Sequence, residues 1–347
     1  MRTLLRWLGR LGLAALLLLA ALLLPVAYVE LACRGTPVAD AYAPLLAPEH
    51  RRAESRTLLT YPEWHIVHAY DDYAAVIRVG DPHDFRYLAA VGGFWSSLCT
   101  LSETAAAHGG VTGETRQMVY VIGTSFTAEL LLKAAYEETL GRLAAWLRGP
   151  ERASLDDLSA RQAADYATFL QQVPWYRWDF AADAAALGTA ATGDLRDRER
   201  EMALGLEYRA KAVYARAIAA AVAGVGADEL TLRSIISGLS ADALSGIEGV
   251  TVIAVRPEGV EIETPRYRAF TELARELAAR GAEFVEIAGN DDILVTVLTE
   301  RPEELGSLQS FARQGNPGHR HLLLVRVADL AKTLRDESLA VEHVHDY

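Results

Sequence analysis

Little in this chain announces a reaction. Its 347 residues hold only two cysteines, Cys33 and Cys99, which excludes a C-x-x-C redox pair, a zinc ribbon and a multi-disulfide framework. No P-loop and no G-x-G-x-x-G stretch occurs, so the usual marks of a nucleotide site are missing. The nearest approach to a nucleophile elbow, Gly123-Thr124-Ser125-Phe126-Thr127, lacks the second glycine and lies inside a helical pattern. A basic surface is lacking too, since 34 Lys and Arg against 46 Asp and Glu leave a net charge of −12. Arg2, Arg6, Arg10 and Glu30 bring +2 to the first 33 residues, so the remainder carries −14. Such a body suits neither phosphate backbones nor anionic headgroups, and nucleic acid is not an expected partner.

What the chain does have is one long apolar run. Leu11 to Val29 is uncharged and follows three arginines. As a helix it reaches roughly 28 Å, close to the hydrocarbon thickness of a bilayer, about 30 Å. A basic start and an apolar stretch also describe a cleavable export signal. The residues around the end of the run, Leu24-Pro25-Val26-Ala27 and Glu30-Leu31-Ala32-Cys33, lack small side chains at both positions of an A-x-A-like cleavage site. Retention as an anchor through residues 11–32 is therefore expected. Arginines before the span favour a cytoplasmic N-terminus and an exported body. The richness in Ala, Leu and Arg suggests a bacterium with a GC-rich genome, in which the span would sit in the inner membrane and the body in the periplasm. In that compartment a Cys33–Cys99 disulfide is permitted, the alternative being two inert thiols.

Behind the anchor the texture divides in two. Residues 57 to 235 read as helical, with helices expected over 61–77, from Asp81 or Asp84 to His108, over 118–147, from Ser154 to before Pro174, and over 195–223. Thr60-Tyr61-Pro62-Glu63 has the form of a capping box, and Glu129 with Lys133 that of an i,i+4 pair. After Gly249 alternation of period two appears at 251–255, 260–263, 283–287, 293–298, 321–327 and 341–345, with helices between, including one over 302–312. The expected class is α+β. It comprises an anchor (1–35), an all-α domain (36–236), a linker (237–249) and an α+β sandwich with a mostly antiparallel sheet (250–347). No internal repeat is evident.

Six of the nine histidines fall in close pairs. On the first helix Tyr61, His65, His68 and Asp72 share one face, a candidate ligand or metal site, although no H-E-x-x-H or E-x-x-H accompanies them. A solvated or interhelical polar face has the same pattern. His319 with His321 and His343 with His345 are strand-end pairs that would converge if their strands were neighbours, and are weaker metal candidates. Trp175, Tyr176 and Trp178 form an aromatic cluster, either a contact platform or the filling of a helix corner. Buried carboxylates such as Glu103 or Glu129 are conceivable acid–base groups.

At Tyr61-Pro62-Glu63-Trp64, Ile122-Gly123-Thr124-Ser125-Phe126 and Pro174-Trp175-Tyr176 the chain resembles a group of bacterial membrane-anchored proteins with no established activity, and the resemblance implies no function. The expectation is a single-span binding or scaffolding component with no cofactor, whose protein partner or small ligand is unspecified. The alternative is a metal- or carboxylate-dependent enzyme with its site on the helical domain.

Overall fold

The apolar run and its flanks form one helix, α1 (Arg2–Ala32), in a computed structural model that describes residues 2–223, 230–304 and 306–346. Leu13, Leu16, Leu17, Leu23 and Leu24 on it are half or more exposed, so nothing in the described chain covers them. Its end docks, with Val29 and the following Cys33 buried in the core of the helical part.

Eight further helices follow. They are α2 (Glu54–Leu58), α3 (Tyr61–Val79), α4 (Tyr87–Ala105), α5 (Gly113–Tyr136), α6 (Arg142–Arg148), α7 (Ser154–Leu170), α8 (Phe180–Ala190) and α9 (Leu195–Ala223). A π-helical turn at Glu137–Gly141 joins α5 to α6. The stretch Gly113–Arg148 is long and apolar enough to cross a membrane by length and composition. Its charges, however, pair across the bundle: Lys133 Nζ lies 3.2 Å from Glu207, Glu129 lies 2.7 Å from Lys211, and Glu137 meets Arg200 at 2.8 Å. Those pairings replace the expected Glu129–Lys133 pair as the main partners, because both side chains lean towards α9 rather than along their own helix. The capping box at Thr60 does not form either. Thr60 has helical φ and ψ, and its hydroxyl donates to the Thr57 carbonyl, since α2 runs almost directly into α3.

Eight strands build two four-stranded antiparallel sheets instead of one. β1 (Thr231–Ser237), β2 (Thr251–Arg256), β3 (Gly259–Pro265) and β4 (Glu283–Ile287) lie in the order β2-β3-β1-β4. β5 (Asp292–Thr299), β6 (Ser307–Ala312), β7 (His319–Arg326) and β8 (Ala340–His345) lie in the order β6-β7-β5-β8. Helix α10 (Ala241–Ser245) follows β1, α11 (Arg268–Ala279) precedes β4, and α12 (Val327–Arg335) precedes β8. Apart from the short α10, each half thus runs strand, strand, strand, helix, strand with the same spatial order, a topological repeat that the sequence conceals.

Two elements depart from expectation for identifiable reasons. In β1, Leu232, Ile235 and Ile236 recur at helix-like spacing because Ile235 and Ile236 are both buried in a strand flanked by β3 and β4. The sheet region therefore begins by Thr231, and 237–249 contains α10 rather than a bare linker. Residues 307–312, expected as helix after Pro302, form edge strand β6; Leu308 and Phe311, three apart, mimic a helical stripe.

The helical part is not insulated from the sheets. Leu294 of β5 and Leu322 of β7 are buried in the helical core, whereas Ile293, Val295 and Val297 face a second core with α11 and α12. Strand β5 is covered on both faces, and its α3 side is where the histidines meet.

Candidate functional site: a buried polar cluster between α3 and the second sheet

Helical periodicity places Tyr61, Trp64, His65, His68 and Asp72 on one side of α3. That side is buried, not solvated: none of the five exceeds 8% exposure. It packs against the second sheet. The Tyr61 ring stacks on Phe311 of β6 at 6.0 Å and meets His345 edge-on at 5.5 Å. The Trp64 ring stacks on His343 at 3.4 Å between centroids. Two candidate groups, the α3 face and the last histidine pair, therefore form one cluster.

The other strand-end pair does not join it. β7 and β8 flank β5 on opposite sides, so four imidazoles do not converge. His321 is satisfied by Ser310 Oγ at 2.7 Å and Thr299 Oγ1 at 3.0 Å, with His319 beside it at 6.3 Å. Neighbouring strand positions point oppositely, and Arg320, between those histidines, is the residue that reaches α3. Its guanidinium pairs with Glu342 at 2.8 Å and approaches Asp72 at 3.7 Å, while His68 Nδ1 lies 3.6 Å from Glu342. Trp64, Arg320 and Glu342 were not singled out from sequence, although they sit within or beside the motifs that were.

Proton placement follows from the partners. His65 Nε2 donates to the Ala90 carbonyl at 2.8 Å, which leaves its Nδ1 as acceptor. Thr271 Oγ1 accepts from the Val344 amide and shares a hydrogen bond with His343 Nδ1 at 3.0 Å. His345 Nε2 bonds Thr296 Oγ1 at 2.7 Å, and the Gln314 amide donates to Asp72 at 3.1 Å.

Burial sets the charges. Desolvation holds His65 down to about 4 and His345 to about 3, and holds His68 and His343 well below the usual imidazole value; Arg320 adds to the effect on His65 and His68. Burial raises Asp72 to about 6 against the opposing pull of Arg320. The imidazoles are neutral at physiological pH. Arg320, itself raised despite burial by Glu342 and Asp72, is the cation of the cluster.

Five buried polar atoms here have no hydrogen-bond partner: Tyr61 Oη, His68 Nε2, Asp72 Oδ1, His343 Nε2 and His345 Nδ1. An unsatisfied buried donor or acceptor costs about 1–3 kcal/mol, so such a concentration is expected only where water or a small polar ligand supplies partners. As a metal centre the cluster is incomplete. Among the described residues, no three of its His and Asp ligand atoms lie within 4.8 Å of one another. The arrangement offers neutral donors and acceptors around a guanidinium–carboxylate pair.

The remaining candidates point elsewhere. Trp175 packs on Tyr214 at 5.2 Å, and Trp178 packs on Phe169 and Tyr166 while its indole N–H donates to Asp183 at 2.7 Å. Tyr176 lies beside Trp175, so these aromatics fill the corner among α7, α8 and α9. Glu129 accepts from Tyr70, and Glu103 lies by Cys99. Cys33 and Cys99 form a disulfide with Cα atoms 5.0 Å apart. Open clefts of about 300 and 200 Å³ lie on the first sheet, around Thr231 and Glu263, away from α3.

Comparison of the chain with protein-family models, with curated proteins and with solved structures finds no significant match.

Proposed function

We propose that this protein is a single-span, membrane-anchored component that presents its acidic body outside the cytoplasm and serves there in binding or scaffolding. The observation that carries the reading is the Cys33–Cys99 disulfide, which ties the residue just after α1 to the middle of α4. A disulfide belongs to an oxidising compartment, and this one fixes the body to the anchor's exit instead of leaving it on a free tether. The dispersal of the candidate groups supports the same view. Among the described residues the aromatics at 175–178 fill a helix corner and Glu129 is engaged by Tyr70 and Lys211, whereas the α3 face packs on the second sheet.

The test is membrane topology. Carbonate washing of membranes holding the full chain is expected to leave it in the pellet, and protease added outside sealed right-side-out vesicles is expected to digest the body. Release into the wash, or a body protected until the vesicles are opened, contradicts the proposal.

The unpaired atoms of the α3 cluster favour a second reading, a site for a small polar ligand with enzymatic use. Metal and small-molecule analysis of the purified chain, with and without His65→Ala and His68→Ala, separates the two. A stoichiometric bound species lost in the double variant supports the second; its absence from wild type leaves the first.

A further inference from the structure

Away from α3, a second cluster joins distant parts of the chain. Asp40 follows α1, Glu54 opens α2, His108 ends the 3-10 turn after α4, and Asp291 and Asp292 lead into β5. One ligand atom each from Asp40, Glu54 and His108 lies within 4.8 Å of the others, and the same holds for Glu54, Asp291 and Asp292. Glu54 belongs to both sets. His108 Nδ1 lies 3.6 Å from Glu54 Oε1 and 4.0 Å from Asp40 Oδ2.

Glu54 separates this cluster from an ordinary acidic surface. Its side chain is 2% exposed, and neither carboxylate oxygen has a hydrogen-bond partner. An unpaired buried carboxylate is costly unless it is neutralised by a proton or a cation. Asp291, Asp292 and His108 are half-buried and Asp40 is exposed, which leaves a route from solvent. We infer that Asp40, Glu54, His108, Asp291 and Asp292 form a binding site for one divalent cation that prefers oxygen ligands and tolerates an imidazole, with Mn²⁺ and Ca²⁺ the fitting ions.

The donor set selects that class. Carboxylates suit Ca²⁺, Mg²⁺ and Mn²⁺, whereas a site built for Zn²⁺ or Cu²⁺ draws mainly on imidazole and thiolate. Mg²⁺ holds its waters and a tighter octahedron, which fits a spread cluster less well. In the absence of an ion the carboxylates of Asp40, Glu54, Asp291 and Asp292 crowd and oppose one another. A bound cation removes that repulsion. It also clamps α2 and the turn after α4 to β5, joining the helical part to the second sheet.

Equilibrium dialysis of the chelator-treated full chain in detergent against Mn²⁺ and Ca²⁺, followed by elemental analysis, tests the inference. One ion per chain is expected for at least one of the two, with a thermal midpoint raised by several degrees. Glu54→Gln is expected to weaken binding at least tenfold, yet to melt no lower than wild type in the ion-free state, since the substitution takes one acid out of a mutually repelling group. Should that variant fail to fold, Asp291→Asn/Asp292→Asn, at half-buried positions, is expected to show the same loss. Folded wild type that retains neither ion at millimolar concentration overturns the assignment. So does affinity unchanged in the variants, or affinity lost only in His65→Ala/His68→Ala.

Discussion

The indole of Trp64 lies against the imidazole of His343, ring centroids 3.4 Å apart and planes inclined by 26°. That contact joins a helix near the start of the body to the last strand of the chain. Trp64→Ala removes a large buried side chain from this seam and is expected to cost about 3–5 kcal/mol, in line with other buried aromatic truncations. Urea denaturation followed by circular dichroism measures it. A loss below about 1 kcal/mol, the size of a surface effect, contradicts the packing described.

Acid is expected to loosen the same seam. His65, His68, His343 and His345 are held neutral by burial, with folded values of about 4 for His65 and about 3 for His345. In the unfolded chain they titrate near 6.5. Between those limits the unfolded chain binds more protons, so stability is intact above about pH 6.5 and falls as pH drops towards 4. Asp72, raised to about 6, acts oppositely, gaining stability as pH falls from 6, as do Asp346, raised to about 7, and Glu54, raised to about 8, so the imidazole share is read as a difference between wild type and variant. The urea midpoint of wild type minus that of His65→Asn/His68→Asn, measured at about pH 7.5, 6 and 5, should decline in order. A difference that is the same at all three would show that these imidazoles are not buried and neutral.

Glycine 93 makes room for His65. A Cβ built there meets His65 Cε1 at 2.5 Å and Phe311 at 3.4 Å. Gly93→Ala should therefore push the imidazole away from the Ala90 carbonyl and cost about 1–3 kcal/mol, the usual range for overpacking. The cost should largely vanish in a His65→Ala background, where the obstructing ring is gone. Equal costs in the two backgrounds place the strain elsewhere.

Reducing the disulfide should release the end of α1 from α4. The bond closes a loop between positions 66 residues apart, and its loss is expected to cost about 2–4 kcal/mol. Cys33→Ser/Cys99→Ser and the reduced wild type should share one lowered thermal midpoint. A midpoint unaffected by reductant would mean that the bond constrains nothing.

Much of this molecule was visible before its fold. Helical spacing identified the face of Tyr61, His65, His68 and Asp72, and pairing drew attention to His343 and His345. Their meeting was not legible, because it depends on β8 lying beside β5 and on α3 lying across that sheet. The boundary at Thr231 was obscured because a doubly covered strand loses alternation, so Leu232, Ile235 and Ile236 imitate a helix. Edge strand β6 was obscured in the same way by Leu308 and Phe311. Glu54, His108 and Asp292 are separated by long stretches of chain and match no spacing rule; only the fold brings their ligand atoms together.

The central claim, an anchored body working in an oxidising compartment, is tested most directly by the state of Cys33 and Cys99 in the native membrane. Membranes are quenched in acid, treated with a maleimide-linked polymer under denaturing conditions before and after reduction, and the mass shift of the full chain is read on a gel. The account predicts no label before reduction and two labels after it. Two labels before reduction would place the cysteines in a reducing compartment and contradict it.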